Sequence, residues 1–394
     1  MRSIQKQREG DVSGEDFAFV QPMLGPLHIN MNFKKVMMKA FLGSKNGLAL
    51  GTLSSFNRKS GKKYIDDKAT NFWACMDFTR DCLEAILMGL MVAEGGASAW
   101  DEFRRKCVNG DILWREVIKG VSQKLGYTYV CDLHDGKEDE RDKVHENILL
   151  FVRMELEFRA FYKAIRGSNV GFMELILQIW GPEFLGSSNA SKYGPELMDI
   201  RCGMLGEWNN QLKEIMRQNW IINPHGRRGK CLGLDEFMEE LVRVYKHQNN
   251  PGGSETLEDH QRNVIARCAL HLMAVKDELR CGLGIWRHAG KRVKQDSSAD
   301  VKSLLGKFLE EDVVRFVRGR GRPTIDDQAI EEVVDMMNSG LERMRNGKWW
   351  PEFLSRSPGC SRMRVLRTLG LADQLELKFE EENEDCMGGM DVDG

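Results

Sequence analysis

The sequence predicts a mainly α protein: a helical assembly around at most a small β-sheet remnant. Three observations carry this. From Asp67 onward apolar residues recur at helical spacing almost without a break. Alternating apolar and polar runs, the mark of half-buried strands, are scarce. Gly, Pro, Asn and Ser gather in a few short stretches that separate segments of helix length.

In chain order, residues 1–16 read as a flexible polar arm and Phe17–Leu24 as a short strand ended by Gly25 and Pro26. Leu27–Phe41 is a helix with Leu27, Met31, Val36, Met37 and Phe41 spaced for burial, and Gly43 is its stop. Residues 44–63, rich in Gly, Ser and Lys, read as a loop. Helices follow at Asn71–Glu94, Ala99–Val108 and Asp111–Leu125. Asp132–Lys143 is a charged, solvated loop. Val144–Ile165 is strongly amphipathic, with Leu149, Val152, Leu156 and Phe161 on or near one face. Val170–Trp180, Tyr193–Trp220 and Asp235–Gln248 complete a helical domain over 17–249. A Pro/Gly/Ser linker spans 250–256. The C-terminal helical region, 257–376, holds helices at Leu257–Leu283, Ala299–Phe316, Ile325–Asn346 and Arg362–Leu371. Residues 377–394 are acidic and poor in apolar side chains, so disorder is expected there.

Charge narrows the function classes. The chain has 394 residues with 57 Lys+Arg, 59 Asp+Glu and a net charge of −2. Any nucleic-acid surface must therefore be a local patch. The polar N-terminus holds no apolar signal core. The longest apolar run, Cys82–Ala93, is interrupted by Glu84 and too short to span a bilayer, so no membrane partner is expected. Ten scattered cysteines without Cys-x-x-Cys read as free thiols of a reducing, intracellular compartment, the nucleus included. Cys131 and His134 form one Cys-x-x-His pair with no second half, so no zinc site is expected.

A series of segments resembles the eukaryotic domain of unknown function 6589 family, found in transposon-related proteins. The segments are "PMLGPLHINMNFKKVMMKAF", with Gly25 and His28; the Ala-Ile-Arg of Ala164–Arg166; Pro182-x-Phe184; and Tyr193-x-x-Glu196-Leu197. They continue with Trp220 and Asn223 before Gly226-x-x-Gly229, then Asp235, Glu239 and Lys246. The resemblance implies an RNase-H-like ancestry with helical insertions and a Mg²⁺-dependent acidic site. The chain departs from that pattern in three ways. Pro26 stands where the family often has an acid. Ser168 and Asn169 stand where it often has Gly-Asp. The leading strands, with the first catalytic acid, are missing, so a truncation on the N-terminal side is expected. Each change removes a carboxylate that Mg²⁺ would need. The resemblance therefore implies a catalytically incomplete relative with no cofactor, Mg²⁺ entering only if an acidic site survives.

Within that frame Asp235 and Glu239, at i and i+4 on one helix, are the surviving candidates for catalytic acids. The alternative is that Asp235, Glu236, Glu239 and Glu240 complement the helix dipole and face water. Leu234, Phe237, Met238, Leu241 and Tyr245 are expected on the opposite, buried side. Asp77, Asp81 and Glu84 read as another helix's wet face, with Arg80 as local partner. His28 is expected to bond a backbone carbonyl. "NPHGRRGK" offers Arg227, Arg228 and Lys230 to a phosphate, or is a hairpin or loop with solvated cations.

Arg287–Arg322 is the most basic region. Its "GRGRP" resembles an AT-hook core, in which glycines lie flat on the groove floor and arginines enter the minor groove of A·T tracts. Against a hook, "TIDD" places Thr324 and Asp327 as caps of a following helix, while the preceding helix is expected to end near Phe316. The DNA-binding candidates are Arg318, Arg320 and Arg322, with Lys291, Arg292 and Lys294. Three functions are carried forward: a transposon-derived, catalytically incomplete protein with at most weak DNA binding; a helical protein-interaction module; and an active Mg²⁺-dependent nuclease or strand-transferase.

Overall fold

The computed structural model describes residues 23–43, 49–134, 136–137, 139–224, 226–249, 296–321 and 335–346, with isolated positions between 268 and 283. The fold is mainly α. The helices are α1 (Pro26–Phe41), α2 (Leu53–Ser60), α3 (Phe72–Glu94), α4 (Trp100–Asn109), α5 (Trp114–Lys124), α6 (Tyr127–His134), α7 (Lys143–Arg166), α8 (Val170–Gly186), α9 (Tyr193–Cys202), α10 (Asn210–Asn219), α11 (Leu234–Asn249), α12 (Ser298–Glu310) and α13 (Met336–Asn346). Among the described residues the only sheet is an antiparallel pair, β1 (Ile221–Ile222) and β2 (Leu232–Gly233), with Ile221 opposite Gly233 and Ile222 opposite Leu232.

The helix starts follow local chemistry. Asn71 caps α3 by accepting from the Ala74 amide at 3.0 Å, and Asp142 caps α7 through His145 at 3.0 Å. The loop expected over 44–63 is corrected. Thr52 accepts from the Ser55 amide at 3.2 Å, Gly61 closes the turn at φ 62, and the Leu53 and Phe56 between them are buried. The Gly- and Lys-rich composition belongs to the flanks of a short helix. Two further boundaries move. α6 takes in Asp132–His134, the first residues of the expected charged loop. α8 continues through Pro182 to Gly186 instead of stopping at Trp180.

Tyr193–Trp220 is not one helix. α9 passes into a π-turn, Gly203–Glu207, and stops where Trp208 turns extended and its ring lies over Gly203. Asn209 then restarts the helix by accepting from Leu212 at 2.8 Å. Likewise α12 ends at Glu310, not near Phe316, and Asp312 takes a left-handed φ of 54°.

The contacts divide the chain into two compact units. One comprises residues 25–169 and 219–331. Within it α1 packs along α7, and α3 along both α7 and α12. Phe33, Met37, Phe41, Phe78, Phe151 and Phe158 lie in its core. At the centre is a buried ionic cluster. Lys34 bonds Glu155 and, at 3.0 Å, Thr79; it sits 3.8 Å from the centre of the Phe158 ring. Arg159 closes on Glu155 at 2.7 Å. Asp81 corrects the expected wet face: it is 1% exposed and pairs with Arg80 at 3.0 Å and Lys62 at 3.6 Å, while Glu84 is exposed.

The other unit comprises residues 1–24, 170–218 and 332–394, and its described part is α8, α9, the π-turn, α10 and α13. α8 and α13 cross so closely that a Cβ at Gly340 would overlap the Pro182 carbonyl. Arg343 fastens the crossing through the carbonyls of Leu185 (2.8 Å) and Ser187 (3.2 Å).

Candidate functional site

Candidate residues fall at three places within the larger unit, and the hairpin positions two of them. β2 runs directly into α11, which sets Asp235 against the N-terminus of α1. Pro26 has no N–H and Gly25 no side chain, so α1 has no cap of its own. Asp235 supplies one from 208 residues away. It accepts from the amides of Leu27 (3.2 Å) and His28 (3.0 Å), and from His28 Nδ1 at 2.9 Å. His28 therefore bonds a carboxylate, not the backbone carbonyl that was expected. A Cβ at Gly25 would overlap the Asp235 carboxylate, so the glycine is required by this close approach.

One residue on, Glu236 takes Arg166 at 3.0 Å, and Arg166 also donates to the Cys231 carbonyl at 3.2 Å. Burial raises the Glu236 carboxyl above the usual range against the pull of Arg166. Gly25, His28, Arg166 and Asp235, which carry the sequence resemblance, thus meet at one joint between α1, α7, the hairpin and α11.

The rest of α11 departs from expectation. Phe237 and Leu241 are partly buried, but Leu234 (41%), Met238 (52%) and Val242 (39%) are exposed. Val242, but neither Leu234 nor Met238, lines an open groove of about 750 Å³. Among the described residues its apolar lining is Leu27 and Met31 of α1, Phe72 and Trp73 of α3, and Val242. Trp73 is 41% exposed and packs edge-on to Phe72 at 5.2 Å. Glu236, Glu239 and Glu240 line the α11 side, with Arg243 as the cation among the described lining residues. Glu239 and Glu240 are exposed and pair with no described cation. No group of three or more potential metal ligands occurs among the described residues. Asp235 and Glu239 lie on the same helix and serve different ends, since Asp235 clasps α1 while Glu239 borders the groove.

Between β1 and β2 the chain forms an exposed turn, with Gly226 (φ 60) and Gly229 (φ 72) in left-handed conformations. Arg227, Arg228 and Lys230 are exposed on it and pair with no described acid.

The third place is the Arg-Gly loop after α12. Arg320 donates to Asp142 from Nε (2.9 Å) and Nη2 (2.7 Å). It also reaches the carbonyls of Glu311 (3.5 Å), Asp312 (3.1 Å) and Arg315 (3.0 Å), which occupies all five guanidinium N–H groups. Asp142 is fully buried and also takes the Val317 amide at 2.7 Å. Gly319, at φ 75, donates to the Glu140 carbonyl, and Arg320 accepts from the Lys143 amide. The groove-reading role expected of Arg320 is thereby revised: its guanidinium is committed inside the fold. Arg318 is 72% exposed and pairs with Glu140. Arg322, Lys291, Arg292, Lys294, Thr324 and Asp327 lie outside the described residues.

No helix among the described residues is long and apolar enough to cross a membrane. The family described as a family of unknown function (DUF6589) matches residues 1–292, well over half of the chain. No curated protein and no solved structure matches it.

Proposed function

The chain belongs to the DUF6589 family of unknown function, and from that premise we propose that it is a helical interaction module without catalysis, docking a partner protein in the groove beside α11. The observation that carries this is the use of the α11 face. Asp235, the best acid candidate, spends its oxygens on the α1 amides and His28, while the neighbouring surface is apolar and open. A transferase would need several carboxylates converging on one metal-sized point. Descent from a transposase of RNase-H-like ancestry rests on the resemblance of the sequence segments, and an intracellular location on the free thiols.

A second reading, residual DNA binding, is favoured by Arg227, Arg228 and Lys230, which are exposed and unpaired by any described acid. One experiment separates the two. The full chain is titrated at low salt with labelled amphipathic helical peptides, then with labelled A·T-rich duplex. A docking module binds peptide, loses it on Trp73→Ala and leaves the duplex unshifted. A duplex shift that fades with salt and disappears on combined R227A, R228A and K230A establishes the second reading instead. No peptide binding at all overturns the first.

A further inference from the structure

We infer that the groove beside α11 takes a basic amphipathic helix of a partner protein. This rests on the docking reading above and adds the partner's shape and charge.

The walls of the groove argue for a helix. They are helix faces from α1, α3 and α11. An apolar stripe at helical spacing is the natural filling for a channel between helices. On α11 the apolar lining is Val242, 39% exposed and flanked by Glu239 and Arg243. Met31 in that lining adapts to the side chains it meets. An aromatic anchor, Trp73, stands half-exposed at the opposite wall.

The charges argue for a basic partner. Glu236 is neutralised by Arg166 at 3.0 Å, so it adds little. Glu239 and Glu240 pair with no described cation, and among the described lining residues Arg243 is the cation set against them. The described border is net negative. Lys or Arg flanking an apolar stripe would meet these carboxylates while their aliphatic stems cover the groove edge. The same border repels the phosphates of nucleic acid and of anionic lipid.

Two peptides of identical apolar stripe, one with Lys and one with Glu on the polar face, supply the test. Each is labelled and titrated into the full-length protein by fluorescence anisotropy. The Lys peptide should bind about tenfold or more tightly than the Glu peptide, the advantage shrinking as salt rises. Combined Glu239→Lys and Glu240→Lys should reverse the preference, and Trp73→Ala should weaken both peptides. Circular dichroism of each variant checks that it is folded. Equal binding of both peptides, sensitive to Trp73→Ala, overturns the charge inference but leaves the docking reading standing. Binding of neither removes both. A Lys preference unmoved by the charge reversal places the site elsewhere and overturns the inference. So does recruitment to anionic vesicles that survives Trp73→Ala.

Discussion

Arg320 shows how one side chain changes meaning once its neighbours are known. In the sequence it is the second arginine of "RGRGRP", a candidate for an A·T groove. In the fold it neutralises Asp142, which is fully buried, 178 residues earlier in the chain. Asp142 itself is legible as a helix cap, because an Asp precedes an apolar run at the start of α7. Its second partner is not legible, because nothing local records so distant a contact. The energetic consequence separates Arg320 from Arg318. Arg320→Ala leaves a buried carboxylate with only the His145 and Val317 amides. We expect a loss of about 3 kcal/mol, the lower end for breaking a buried pair. Arg318→Ala, at a largely exposed position, should cost no more than about 0.5 kcal/mol. Urea unfolding midpoints of the two variants check this. Equal, small effects would mean that the Arg320–Asp142 pair does not hold the loop in place.

At the scale of elements, the legible helices include two whose apolar spacing and caps agree, α3 after Asn71 and α7 after Asp142. Those misread had composition pointing away from geometry. α2 is hidden among Gly and Lys, and the break after α9 comes from Trp208 packing over Gly203, a contact that periodicity does not report. The ionic centre joining α1, α3 and α7 was missed for a related reason. Lys34 falls on the stripe Asn30, Lys34, Met37, Phe41, where a cation looks like an interruption of an apolar face. Burial lowers the Lys34 ammonium from an ordinary 10.5 to about 8, with Glu155 holding it up in part. The sign follows directly. Between about 8 and 10.5 the unfolded chain binds more protons at this site than the folded one, so its contribution to stability rises with pH across that window. Cys75 and Cys82, whose thiols burial raises, act in the opposite direction above the ordinary thiol value. The informative quantity is therefore the difference between the native chain and Lys34→Met. We expect native stability to gain on the variant by on the order of 2–3 kcal/mol from pH 8 to 10.5, read from urea midpoints at stepped pH. A flat difference would mean that burial does not lower the Lys34 ammonium, its partners Glu155 and Thr79 offsetting the loss of water in full.

At the scale of the molecule, the site was legible in its residues and not in their arrangement. Gly25, His28, Arg166, Asp235 and Glu239 were all singled out, but chain order cannot show that the first four form one joint while Glu239 borders a groove. The residues flanking 170–218 are fixed within the larger unit itself. Arg166, just before it, exchanges hydrogen bonds with Cys231: its carbonyl accepts the Cys231 amide at 3.4 Å and its guanidinium reaches the Cys231 carbonyl at 3.2 Å. Trp220, just after it, accepts from the Leu234 amide at 3.1 Å. Both ends of the segment are thus pinned to the same hairpin and to the start of α11, the geometry of a tolerated insertion. The joint and the ionic centre lie wholly outside 170–218. A chain of residues 25–169 and 219–331, rejoined by a Gly/Ser linker of roughly eight residues with a reach of about 16 Å, should keep its helical circular dichroism and unfold in one cooperative urea transition. It should also keep the destabilisation caused by Arg320→Ala, because Asp142 and Arg320 are both retained. A molten spectrum without a transition would show that α8, α9 and α10 are needed to hold the joint, and that the larger unit is not an independent folding body.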